Sequence, residues 1–556
     1  MFTKSSRKPL GLLAAAASLT LVATACAESD RDASDGGEQP FVFASAGDIA
    51  SLDPFLATDG ETFRYSRQVF DTLLQHESGG SEIVGGLAET WDQSEDGTVW
   101  TFGLRDGVEF HDGDELNAEA VCANFDRWFN LTGAYQSSNN SYYWQKIFGG
   151  FAENEEDHAP PEPRFASCDA EDELTVVIEV SEYSSLYPGG FSLAAFGIMS
   201  PSSLEAMEGQ EIGGEEGNPT LPEYSQVPGT VAGTGPFTVE EWNQDQGEIT
   251  LNRFDGYWGD PAGFETMIIR AIPDENARRQ ALEAGDIHGY DLVAPADVAP
   301  LQEAGFEVPT RDVFNVLYLA YQQDHEALAD LEVREALSHA VNRQRIVDTI
   351  LPEGGEVATQ FHPDTLDGWS EDVREFEYDP DLAREALADA GYGEGELEVE
   401  FCYPTEVTRP YMPAPKDIFD VITEDLQEVG VTVEATSYEW AEYLNQTDSG
   451  NCPLYLLGWT GDYNDAYNFI GTWFAGPSSA WGLDDQELFD RMAEVSSNPD
   501  AEERVVGYQE LNEMVMDVLP GLPISSSPPS IAFSGDVNPP NVSPLTQENF
   551  AEASWK

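Results

Sequence analysis

Short runs rich in β-branched and aromatic residues recur along the chain, at 99–104, 174–180, 249–253, 266–272, 313–321, 397–403, 431–435 and 454–458, and each predicts a strand. Between them apolar residues return at helical spacing over 118–129, 275–284, 331–350, 382–390, 416–429 and 501–518, which predicts helices. Strands alternating with helices define an α/β protein. The stretches 131–170 and 205–225, rich in Gly, Pro and Glu, read as exposed loops or insertions. No repeat of fixed period is present. A chain of 556 residues exceeds what one core supports, so two or three domains are expected.

Residues 1–25 follow another pattern. Basic Lys4, Arg7 and Lys8 precede an apolar run of about fourteen residues from Leu10 to Ala23. This is the layout of a secretory signal peptide, and the run is too short to span a bilayer. Ala23, Thr24, Ala25 and Cys26 resemble a lipobox, in which Cys26 is lipidated and becomes the first mature residue. The acidic, Ser- and Gly-containing stretch up to residue 40 would serve as a flexible spacer between anchor and fold. These features predict a bacterial protein held by lipid on the extracellular face of the cell membrane.

Charge narrows the partners. The chain carries 104 Asp and Glu against 25 Lys and Arg, a formal net charge of −79, so nucleic acid is excluded as a partner because phosphate binding needs a basic surface. An acidic surface repels itself at low ionic strength and is relieved by salt, which points to a salt-rich habitat. Besides Cys26 there are four cysteines, Cys122, Cys168, Cys402 and Cys452. An even number in an exported chain predicts two disulfides, with three pairings open. The scattered histidines and the absence of C-x-x-C argue against a metal site, and no cofactor is expected. Without G-x-S-x-G, H-E-x-x-H or a P-loop, no enzymatic activity is expected either.

Several segments in order resemble the dipeptide- and oligopeptide-binding branch of the extracellular solute-binding proteins, family 5. They are Ser51-Leu52-Asp53-Pro54, LAETWDQSEDGTVWTFGLRDGVEFHDG at 87–113, GTGPF at 233–237, DGYWGDP at 255–261, ALEAGDI at 281–287 and VREALSHAVNRQRI at 333–346. The resemblance implies a two-lobed periplasmic-binding-protein-like fold of type II, cluster C. Lobe I would comprise 41–71, 224–312 and 531–556, with an extra subdomain at 72–223, and lobe II would be 313–530. The hinge would fall near 311–315 and 528–531. With each bridge kept inside one such domain, Cys122–Cys168 and Cys402–Cys452 is the favoured pairing.

The implied function is capture of a short peptide, most simply a dipeptide, by a monomer that delivers it to the permease subunits of an ABC importer. Relatives on the same fold take oligosaccharides, nickel chelates, glutathione or haem, and these are the alternatives. In Gly458-Trp459-Thr460-Gly461-Asp462 the family motif implies that Asp462 takes the peptide's α-ammonium. In Thr408-Arg409-Pro410-Tyr411-Met412-Pro413 it implies that Arg409 grips the terminal carboxylate, which a guanidinium fork suits. Trp459, Tyr411 and Tyr463 are expected to wall the ligand. Gly458 would leave backbone open to an extended peptide. Ala466 departs from the family pattern, which has Pro there in many members.

Overall fold

The computed structural model describes residues 39–215 and 218–556. The expected signal peptide, Cys26 and nearly all of the expected spacer lie outside the described residues. Among those described, no helix is long and apolar enough to cross a membrane.

Two six-stranded sheets organise the chain. The first has the order Phe237–Asn243, Glu248–Arg253, Thr266–Ala271, Phe41–Ser45, Gly289–Asp291, Ile531–Phe533. The second has the order Glu356–Val357, Gly521–Ser526, Asn315–Tyr321, Leu454–Thr460, Glu398–Thr405, Thr432–Glu439. Every residue of Asn315–Tyr321 is buried, as expected of a central strand covered on both faces. A third, four-stranded antiparallel sheet pairs Ala88–Gln93, Val99–Leu104, Thr175–Val180 and Phe165–Ala170. Its hairpin turns at Asp96-Gly97, where Gly97 has φ +65° and the Asp96 carboxylate accepts bonds from Ser94 and Thr98.

The acidic composition is partly spent on helix starts. Asp59, Asp274, Asp330, Asp379, Asp485 and Asp500 each cap a helix by accepting backbone N–H bonds, satisfying orphan donors at the positive end of the helix dipole.

The structure corrects two expectations. The helix foreseen over 331–350 is two, Leu331–Ala340 and Arg343–Thr349. Val341 is extended, and the Asn342 side chain accepts from the Arg345 N–H to start the second. The stretch 131–170 is not an exposed loop. It holds the helix Tyr142–Phe148 and the strand Phe165–Ala170, and Trp144, Phe148 and Phe165 pack with Phe125 and Trp128 in one aromatic core. Burial of those rings outweighs the loop-like composition around them. Both disulfides form as favoured, Cys122–Cys168 and Cys402–Cys452.

The chain passes between the two large sheets along two adjacent segments. Arg311 N–H donates to the Pro529 carbonyl at 3.0 Å, Ile531 N–H to Pro309 at 3.1 Å, and Asn315 exchanges two bonds with Ser527. A buried charge cluster sits beside this crossing. Arg311 reaches Asp291 at 2.7 Å and Glu548 at 2.6 Å, and Arg64 reaches the other Asp291 oxygen at 2.5 Å. The two guanidinium groups hold the Asp291 carboxyl well below the usual range despite its burial.

Candidate functional site

Topology brings two loops to one edge of the second sheet. Strands Glu398–Thr405 and Leu454–Thr460 are parallel neighbours, with Phe401 opposite Leu454 and Cys402 opposite Tyr455. Parallel neighbours end on the same side, so the loop with Arg409 and the loop with Asp462 emerge together at the carboxyl ends, where ligands of α/β sheets bind. The Cys402–Cys452 disulfide ties the same two chain segments.

Asp462 lines a cavity of about 20 Å³ together with Trp459, Tyr463, Asn468, Tyr143 and Lys146. The helix Tyr142–Phe148 faces the second-sheet loop across this seam. One Asp462 carboxylate oxygen accepts from the Tyr143 hydroxyl at 3.3 Å and the other from Asn468 Nδ2 at 3.3 Å. Asn468 Oδ1 in turn accepts from the Asp462 N–H at 2.7 Å and from Trp459 Nε1 at 3.3 Å, so one amide sets the shape of the whole loop. Gln547 donates to the Asp462 carbonyl at 3.1 Å. Burial pushes the Asp462 carboxyl up to about 6, while the bonds from Asn468 and Tyr143 and the charge of Arg67 pull it back. Burial and the neighbouring Arg64 push Arg67 itself down to about 10, and its polar contact is with the Thr546 carbonyl at 3.4 Å.

Tyr463 lines the same cavity, yet its ring belongs to the core of the third-sheet subdomain and lies against Gly189, where any β-carbon would come within 2.4 Å of the ring. It plugs the seam as well as walling it. The remaining expected residues form a second group beside the cavity. The Tyr411 ring covers Gly458, whose β-carbon would stand 2.5 Å from that ring and 2.2 Å from the Val316 carbonyl oxygen, so only glycine fits. Burial pushes the Tyr411 phenol up to about 12, with Arg409 opposing. The Arg409 guanidinium lies 4.2 Å from the centre of the Trp440 ring, a cation–π contact. Neither Arg409 nor Asp462 has an ion pair within 4.0 Å among the described residues. Two non-glycine residues with left-handed backbone flank the site, Glu406 at φ +57° and Thr546 at φ +58°, the kind of local strain that gathers at functional positions.

Arg67, Tyr143, Asn468, Gln547 and Trp440 were not foreseen from the sequence. Only Asn468, six residues beyond Asp462 in a loop rich in Asp and Asn, carried a local signal; the others arrive from distant parts of the chain. A wider depression of about 550 Å³ lies along the helices Gln486–Ser496 and Ala501–Val518, with Arg491 and Glu494 in its wall. It gathers none of the residues above and opens to solvent, so the seam is the candidate site.

Comparison with known proteins identifies the family. The chain is 29% identical over 526 residues to the dipeptide-binding protein of Escherichia coli (strain K12), covering 92% of this chain and 94% of that one. It is 29% identical over 525 residues to di/tripeptide-binding protein 3 of Pseudomonas aeruginosa, covering 92% and 93%. Among solved structures it resembles the ABC transporter-associated periplasmic binding protein DppA from Helicobacter pylori in complex with peptide STSA, with a TM-score of 0.75 and 25% identity over 93% of this chain and 98% of that one. The profile of the bacterial extracellular solute-binding proteins, family 5 Middle, matches residues 82–481, and the chain belongs to that family.

Proposed function

We propose that this chain captures a short peptide, most simply a dipeptide, in the seam between its lobes and delivers it to the permease subunits of an ABC importer. One observation carries the reading: an aspartate and an arginine without ion-pair partners among the described residues stand on loops leaving the same sheet edge, in a chain where acids vastly outnumber bases. An enclosed zwitterion needs such a pair, since each of its charges would otherwise be buried uncompensated. Asp462 takes the α-ammonium and Arg409 the terminal carboxylate. Trp459, Tyr463 and Tyr411 pack the ligand, and Gly458 exposes backbone beside it.

Lobe I comprises 41–71, 224–312 and 531–556, with the subdomain 72–223, and lobe II comprises 313–530. Because the cavity has room for little more than a water molecule, a dipeptide enters only when the lobes part at the hinge near 311–315 and 528–531. The protein works as a monomer outside the cell, tethered through lipid on Cys26.

The test is calorimetric titration with Ala-Ala of the unaltered protein, Asp462→Ala and Arg409→Ala. Stranding either ligand charge costs about 2–5 kcal/mol, roughly thirtyfold to several-thousand-fold in affinity. A change below threefold in both variants removes these residues from the site. Native mass spectrometry of protein purified without refolding then identifies the solute: adducts that fragment to amino acids support peptide capture, and a sugar or metal-chelate mass overturns it.

A further inference from the structure

Lysine is the scarcest charged residue of this chain, with five among 556 residues. Three fall within the described region. Lys416 pairs with Asp420 and Lys556 with Glu307, as expected where every cation is surrounded by an excess of acid. Lys146 does neither. It lies on the helix Tyr142–Phe148 and lines the seam cavity with Asp462 and Trp459. Its ammonium stands 5.5 Å from the centre of the Tyr142 ring, and no carboxylate lies within 4.0 Å of it among the described residues.

One charge that acts on it is of the wrong sign. Arg164 donates to the Lys146 carbonyl at 2.6 Å and has no ion pair of its own within 4.0 Å among the described residues. Lys146 is reached by water, yet it is ringed by enough protein that crowding and Arg164 together hold its ammonium below the ordinary lysine range. Two adjacent cations without an acid are a local cost in any protein. In one of net charge −79 this arrangement runs against the composition of the whole surface. Such a departure from the local rule is expected where function requires it.

We propose that Lys146 receives a carboxylate on the side chain of the peptide's first residue, so that the cleft favours dipeptides beginning with Glu or Asp. This rests on the peptide reading above, with Asp462 holding the α-ammonium. The first residue is assigned because Lys146 and Asp462 line one cavity, whereas Arg409 and Tyr411 lie outside it. Lys146 and Asp462 form no ion pair within 4.0 Å among the described residues, so once the lobes part each is open to a ligand group of its own, an ammonium at Asp462 and a side-chain carboxylate at Lys146. Ile147 and Leu186, also in the wall, suit the methylenes between them.

The experiment is calorimetric titration of Glu-Ala, Gln-Ala, Ala-Glu and Ala-Ala into the full-length protein, Lys146→Met and Lys146→Arg, at one salt concentration at which all three are folded by circular dichroism. Gln-Ala matches Glu-Ala in shape without its charge. The unaltered protein is expected to bind Glu-Ala about tenfold more tightly than Gln-Ala, a moderate figure because the ammonium is reached by water. Lys146→Met is expected to erase that difference, and Lys146→Arg to restore most of it. Equal binding of Glu-Ala and Gln-Ala, a preference for Ala-Glu, or a preference that survives Lys146→Met each overturns the inference while the peptide reading stands. Failure of all four peptides to bind overturns both.

Discussion

Dipeptide affinity is expected to fall about tenfold between pH 7 and pH 5. The cause is the buried Asp462 carboxyl, which sits at about 6 before ligand arrives. Only its ionised form pairs with an ammonium. At pH 7 about nine tenths of unliganded molecules carry that carboxylate and at pH 5 about one tenth, so the apparent dissociation constant rises by roughly the ratio of the two. Once the ammonium is in place the pair keeps the proton off across this range, and the peptide's own α-amino group, with an ordinary value near 8, stays protonated. Binding near pH 6 should therefore release about half a proton, which titration in two buffers of different ionisation heat measures directly. Asp465 is also pushed up to about 6 by burial, but it accepts a bond from Tyr508 and does not line the cavity. The control is thus Asp462→Asn, which should bind weakly with a flat profile from pH 5 to 7. A flat profile in the unaltered protein, or an unchanged slope in Asp462→Asn, would refute the assignment. Stability runs the other way. Both carboxyls have folded values above the unfolded one, so the folded state binds more protons between about pH 4 and pH 6, and their contribution to stability diminishes as pH rises through that window.

Gly458→Ala should lower the unfolding free energy by about 1–3 kcal/mol in urea melts and weaken peptide binding, because the added carbon meets the Val316 carbonyl oxygen and the Tyr411 ring inside a paired sheet; unchanged stability would contradict that packing. The unfolding midpoint should be higher in 2 M than in 50 mM salt, since screening relieves repulsion among the 104 acids; equal midpoints would remove the inference of a salt-rich habitat.

Much of the architecture was legible because strand and helix periods are local. The strands 99–104 and 454–458, the second of which runs on to Thr460 in the structure, and the helix 118–129 follow from a few residues each. Asp462 and Arg409 were legible for another reason: each sits in a short motif, and the parallel pairing of their strands converts two separate motifs into one edge. The unforeseen partners of Asp462 lacked any such signature. Tyr143 is 319 residues away and Gln547 is 85, and no period or spacing links them. The break at Val341-Asn342 was hidden because apolar residues keep helical spacing across it, while Asn342 acts as a cap rather than a passenger. The stretch 131–170 misled because Gly, Pro and Glu outnumber its aromatic residues, although those few rings determine where the backbone goes.

The Cys402–Cys452 bridge has a mechanical side. The strands it joins share only two paired positions, Phe401 with Leu454 and Cys402 with Tyr455, against seven between Leu454–Thr460 and its other neighbour. On the proposed function the lobes part and close for every molecule delivered, and each closure would load the two loops expected to grip opposite ends of the peptide. That load would pass down those loops into a seam of only two paired positions. A covalent rivet beside that seam opposes creep: it holds the two segments against sliding past one another from one cycle to the next, and so would keep the gauge between Arg409 and Asp462.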